Sequence, residues 1–105
     1  MIGLRTAAAA AAISLFFPLS AMAADHAVAI SKFKFVPATL EVAVGDTVTF
    51  TNEDSAPHTA TANDGSFDTG RLAKGESGTV TIEAAGTFDY ICALHPSMKG
   101  TIVAN

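Results

Sequence analysis

The sequence predicts an all-β domain, a β-sandwich or small barrel. Past His26 no stretch holds an apolar stripe at helical spacing for three turns. Apolar residues alternate with polar ones instead, and turn-forming clusters separate the alternating runs. Threonine is frequent inside those runs, which suits a pleated surface with one wet face.

The strands are expected in the following order. Residues 27–32 form the first. Leu40, Val42 and Val44 alternate with Glu41 and Ala43, and Gly45-Asp46 then makes a turn. Val48 and Phe50 alternate with Thr47, Thr49 and Thr51; Val80 and Ile82 alternate with Thr79, Thr81 and Glu83. Phe88, Tyr90 and Cys92 share one face of a strand, with Asp89 and Ile91 on the other, and residues 101–104 form a last short strand. Between them, Val36-Pro37-Ala38, Asn63-Asp64-Gly65, Lys74-Gly75-Glu76 and Ala84-Ala85-Gly86 read as turns or loops. No internal repeat or linker divides the chain.

Residues ahead of these strands have another character. A short start carries one positive charge, Arg5, and residues 7–19 are apolar apart from Ser14 and Pro18. Ala21 and Ala23 then give the small-x-small pattern of a cleavage site. This is the layout of a secretory signal peptide, residues 1–23. The apolar run falls short of the ~20 residues a spanning helix needs. The mature domain is therefore expected to be residues 24–105, periplasmic or otherwise exported, with no membrane insertion.

That domain has 82 residues (105 − 23). Small exported domains usually add disulfides or a metal to a modest core. With Cys92 the sole cysteine, an intrachain disulfide is excluded and a metal is the expected staple. Loss of Arg5 moves the net charge from −4 to −5. An acidic chain without a basic cluster argues against nucleic acid as a partner and suits solubility. Nothing calls for more than a monomer.

The chemistry concentrates in Cys92-Ala93-Leu94-His95-Pro96-Ser97-Met98, at the end of a strand. Each type taken alone more often packs than binds: a cysteine as a small hydrophobe, a methionine as filler. Together they weigh differently. The mature chain's one Cys, its one Met and two of its three His residues fall where one site can collect them, with His58 arriving from a neighbouring strand. Pro96 stiffens the ligand loop, and Gly100 is expected to turn the chain back into the last strand. Two imidazoles and a thiolate with a weak thioether make a blue-copper electron-transfer set, His58, Cys92, His95 and Met98. Zinc is less suited, because its structural sites favour Cys and His. A Cys92–His95 catalytic pair lacks oxyanion donors or any substrate element, so no enzyme is expected.

These residues resemble those of the cupredoxins, in particular the small amicyanin-like and plastocyanin-like blue-copper proteins. The likeness runs through Pro57-His58-Thr59, Asp64-Gly65-Ser66-Phe67-Asp68-Thr69-Gly70, Gly86-Thr87-Phe88-Asp89-Tyr90-Ile91-Cys92 and His95-Pro96-Ser97-Met98-Lys99-Gly100. It implies a Greek-key β-sandwich with one type 1 copper ion at one end. It implies equatorial His58, Cys92 and His95, axial Met98, and a Thr59 N–H bonded to the Cys92 sulfur. Electrons would pass to protein redox partners at the edge of His95, through a patch of Ala56, Pro57, Leu94 and Pro96. Thr59 stands where many members carry Asn. Copper storage or delivery is the alternative function. Separately, a mature N-terminus reading Ala24-Asp25-His26 has the groups for a second, square-planar Cu(II) site.

Overall fold

The structure, a computed structural model, describes residues 22–105. The leader expected over residues 1–23 lies outside the described residues except for its last two. Eight strands follow: β1 (Asp25–Ser31), β2 (Lys34–Val36), β3 (Thr39–Val42), β4 (Thr47–Asn52), β5 (Thr61–Ala62), β6 (Ser77–Thr81), β7 (Gly86–Cys92) and β8 (His95–Ala104). They form two four-stranded sheets, ordered β2-β1-β4-β6 and β3-β8-β7-β5. The pairs β1–β4 and β3–β8 are parallel and the remaining pairs antiparallel. The result is the expected all-β Greek-key sandwich.

Strand β4 shows how the alternation works. Val48, Phe50 and Asn52 point inward and are fully buried. The outward threonines bond across the sheet, Thr49 to Thr79 at 2.9 Å and Thr51 to Ser77 at 2.7 Å. Such hydroxyl pairs across strands add modest stability while keeping the outer face wet. Between the sheets Val28, Ile30, Val48 and Phe50 face Tyr90, Cys92, Ile102 and Ala104 in one core. Tyr90 is its hub, with ring centroids 4.7 Å from Phe35, 5.4 Å from Phe50 and 5.8 Å from Phe67.

Several expectations change. β1 begins two residues earlier than predicted because Asp25 and His26 pair with Thr47 and Val48. Val44 continues the alternation of β3 but sits in the turn before β4, 46% exposed. The last strand is much longer than 101–104, starting at His95. Gly100 consequently makes no turn: it lies inside β8 opposite Tyr90, where any Cβ would collide with the tyrosine ring. A side chain is excluded there by close approach rather than by backbone conformation.

Candidate metal centre

Cys92 ends β7 and His95 begins β8, with only Ala93-Leu94 turning between them. The ladder pairs Ile91 with Lys99 and then Cys92 with His95. Four residues of β8 therefore pass while β7 advances by one, and Pro96, Ser97 and Met98 bulge out without partners. Bulges of this kind re-aim side chains at the ends of sheets. The expected ligand loop is thus a hairpin turn plus a bulge. Cys92 and Met98 are buried, whereas His95 keeps part of its surface open.

His58 reaches the same end from a loop ahead of β5, not from a strand. Its backbone is pinned by a reciprocal bridge, N–H to Leu72 O at 3.0 Å and Leu72 N–H to its own O at 2.8 Å. Asn52, buried at the end of β4, braces that loop. Its amide donates to the carbonyls of Ala56 (2.8 Å) and Leu72 (2.9 Å), and its oxygen accepts from Asp54 N–H at 2.9 Å. With all these groups satisfied, the loop is braced by the protein's own hydrogen bonds.

The three donors converge. Cys92 Sγ lies 3.7 Å from His58 Nδ1 and 3.7 Å from His95 Nδ1, and no two of the three atoms are more than 4.8 Å apart. A metal with N bonds of ~2.0–2.1 Å and an S bond of ~2.3 Å in a trigonal plane requires N–S edges of roughly 3.8 Å. The two observed N–S edges match that spacing, so the cysteine sulfur and each imidazole stand where one ion could bind both. Met98 follows His95 within the bulge, 4% exposed.

Hydrogen bonds around the donors set their chemistry. Thr59 N–H approaches Cys92 Sγ at 3.3 Å, the contact the resemblance implied. Its hydroxyl accepts from Ala93 N–H at 2.8 Å and bonds Thr61 Oγ1 at 2.9 Å. The threonine thereby ties the His58 segment to the Cys92 turn. Asp54 Oδ2 lies 2.9 Å from His58 Nε2. Burial pushes the Asp54 carboxyl upward, but the amides of Phe33 and Lys32 and the His58 ring outweigh it and hold it below its ordinary value. An ionised carboxylate only accepts, so His58 Nε2 carries a proton and donates to Asp54, which leaves Nδ1 as the nitrogen that faces the Cys92 sulfur.

Sequence reasoning missed Asp54, Asn52 and Phe33. Lys32 and Phe33 form the two-residue turn between β1 and β2, with φ of 55° and 59°. Left-handed backbone at a non-glycine residue costs roughly 1–2 kcal/mol. Asp54 offsets this by accepting both amides, Lys32 N–H at 2.7 Å and Phe33 N–H at 2.9 Å. The strained turn sets the Phe33 ring edge-on to both imidazoles, with centroids 4.8 Å from His58 and 5.0 Å from His95. Phe33 and Leu94 stay 48% and 43% exposed, so the apolar patch expected near His95 gains an aromatic member. For Asp54 one signal existed, a carboxylate four residues before His58; for Phe33 there was none.

A two-sheet sandwich that gathers one cysteine sulfur and two imidazoles at one end, with N–S distances suited to a metal, defines a metalloprotein of the all-β class. The family follows from comparison with known proteins. The model of the cupredoxin-like domain matches residues 5–104, and the chain belongs to the cupredoxin family. It is 32% identical to amicyanin-alpha of Methylorubrum extorquens over 95% of this chain and 98% of that protein. It is 34% identical to amicyanin of Paracoccus denitrificans over 80% of this chain and 70% of that protein. Among solved structures, a Cu(I) form of an amicyanin variant superposes with a TM-score of 0.71 at 33% identity, covering 76% of this chain and 81% of that one. A purple cupredoxin from Nitrosopumilus maritimus gives 0.69 at 28% identity, covering 76% and 99%.

Proposed function

We propose that this protein is an exported type 1 copper electron carrier that passes single electrons between protein partners and catalyses no reaction of its own. Its ligands are His58 Nδ1, Cys92 Sγ and His95 Nδ1, with the Met98 thioether as a weak fourth donor. The observation that carries this reading is the pair of 3.7 Å N–S edges, which match metal-binding spacing. Copper bound there would supply a one-electron couple, with soft sulfur favouring Cu(I) and imidazole also accepting Cu(II).

The protein's contribution is rigidity. Asp54 holds the His58 tautomer, Thr59 joins the two ligand segments, and the Thr59 N–H draws charge from the sulfur. Donors fixed in this way change little when an electron arrives or leaves, which keeps the cost of reorganisation low. His95 is the ligand with an edge towards solvent, between Phe33, Leu94 and Pro96. An apolar surface there favours brief docking of a partner protein. Residues 1–23 direct export to the periplasm or an equivalent compartment and are removed.

Adding Cu(II) to the purified mature protein tests the proposal. An intense visible thiolate-to-copper band is expected, bleached by reductant and restored by oxidant through repeated cycles. The Cys92→Ser variant should lack it. A colourless product, or copper shed on each reduction, would overturn the carrier reading in favour of zinc binding or copper delivery.

A further inference from the structure

The end of the sandwich remote from the ligands holds an unusual carboxylate. Asp46 has its side chain 8% exposed and accepts three hydrogen bonds. Oδ1 takes Ala24 N–H at 2.9 Å; Oδ2 takes Ala43 N–H at 2.9 Å and lies 2.8 Å from His26 Nε2. Ala24 is held on its other side as well, its carbonyl accepting Thr47 N–H at 2.9 Å where β1 begins to pair with β4. One residue further upstream the hold ends: Ala23 is exposed and Met22 is 89% exposed. The first anchored residue of the fold thus directly follows the small-x-small pattern Ala21-Met22-Ala23. Fold edge and cleavage signal meet at one peptide bond.

We propose that the exported chain begins at Ala24 and that its new α-ammonium forms an internal ion pair with Asp46, so that removal of the leader completes the fold. The proposal rests on reading residues 1–23 as a leader and is independent of the copper. In the cleavage a leader peptidase adds water across the Ala23–Ala24 amide. Ala23 departs as a carboxylate, and the Ala24 nitrogen takes up protons to become an ammonium. That nitrogen already sits at hydrogen-bonding distance from a nearly buried carboxylate. Before cleavage it brings one neutral N–H; afterwards it brings a full positive charge and further donors, and charge-assisted bonds are about twice as strong as neutral ones. The other carboxylate nearby, Asp25, is directed to the hydroxyls of Thr47 and Thr49, which leaves the ammonium to Asp46. Seating the amine on Asp46 also occupies a group that a Cu(II) chelate at Ala24-Asp25-His26 would need.

Four preparations test this: chains beginning at Ala24, chains beginning at Ala23, and both again with Asp46→Asn. All eight strands lie within residues 25–104, so each start retains the whole fold. Intact mass of the exported protein should correspond to residues 24–105, and a different start overturns the assignment. The Ala24 form should melt several degrees above the Ala23 form, and Asp46→Asn should erase that difference. Equal melting temperatures for the two starts, or a difference that survives Asp46→Asn, would overturn the ion pair. If Asp46→Asn does not fold, acetylating the Ala24 amine replaces it: the acetylated protein should melt with the Ala23 form, and no loss on acetylation refutes the pair. The visible spectrum of the copper-loaded protein should be the same for both starts, which keeps this test separate from that of the carrier function.

Discussion

Each end of the sandwich carries a histidine whose Nε2 meets an aspartate oxygen, at 2.8 Å for His26 with Asp46 and 2.9 Å for His58 with Asp54. The two pairs stand about one strand apart along β4, roughly 20 Å at ~3.3 Å per residue. In both, the aspartate also gathers two backbone amides and so fixes a turn of chain. The contrast lies in the imidazoles. The His58 side chain is fully buried and its second nitrogen faces the Cys92 sulfur; the His26 side chain is 25% exposed at the start of the first strand. A His–Asp pair alone therefore specifies no function. One end becomes a candidate redox site because a cysteine sulfur and a second imidazole meet the oriented ring, and the other end closes the fold.

The largest expected effect separates the two ends by metal. Copper should raise the melting temperature of the wild type, with stabilisation of about 4 kcal/mol when free copper exceeds its Kd a thousandfold. Calorimetry with and without copper should show the increment lost in Cys92→Ala and retained in Asp46→Asn. An increment surviving Cys92→Ala would place the metal elsewhere and break the comparison.

A smaller effect examines how the ligand segments are joined. Thr59→Val keeps the shape of the side chain but removes the acceptor of the part-buried Ala93 N–H bond, a loss of about 0.5–1.5 kcal/mol. Thr49→Val on the wet face of β4 should cost at most about 0.5 kcal/mol. Urea unfolding of the apo proteins compares them directly. Equal losses would mean that Thr59 merely fills space. Thr59→Pro removes the N–H on the sulfur and should shift the reduction potential; an unchanged potential would remove that contact from the account.

Much of this molecule was legible in its sequence, for reasons that differ between fold and site. Strand faces could be read because Val48, Phe50, Tyr90 and Cys92 alternate with threonine, aspartate and isoleucine at period two. Strands β2 and β5, with three and two residues, are too short to show any period. The parallel pairing of β1 with β4 joins residues about twenty apart and leaves no local trace. Cys92, His95 and Met98 were legible because they crowd one short segment of residue types otherwise scarce in the chain. Asp54, Asn52 and Phe33 were not, since their work depends on segments that meet only in the folded state. The turn assigned to Gly100 failed for the same reason: its partner, Tyr90, lies across the sheet.

Acid sharpens the contrast from the other end. Hydrogen bonds from the Ala24 and Ala43 amides, and then from His26, hold the Asp46 carboxyl down to about 2, against an ordinary value of 3.8. A group with a depressed native pKa contributes stability that is present above its unfolded pKa and lost as pH falls through the native one. The Asp46 contribution should therefore be complete above pH ~4 and fade between there and pH ~2. Thermal melts of wild type and Asp46→Asn should converge over that window. Curves that stay parallel down to pH ~2 would assign the stabilisation to shape rather than charge.

The smallest effect concerns the turn at the ligand end, whose Lys32 and Phe33 are the non-glycine residues with positive φ among the described residues. Lys32 and Phe33 share the same backbone strain, but only Phe33 also touches the imidazoles. Glycine at either position relieves φ at once and gives back part of the gain through a more flexible unfolded chain. Lys32→Gly should leave stability within about 0.5 kcal/mol of wild type or slightly above it, with the copper spectrum and potential unchanged. Phe33→Gly relieves the same strain yet strips an apolar ring from His58 and His95, admitting water to both. Its potential should fall as the more highly charged Cu(II) form gains hydration, and its rate of electron exchange should change. If the two variants behave alike in spectrum, potential and exchange rate, the turn is strained for folding alone. If only Phe33→Gly moves them, the strain is retained at this end because it holds a ring against the two histidines, a demand the Asp46 end does not face.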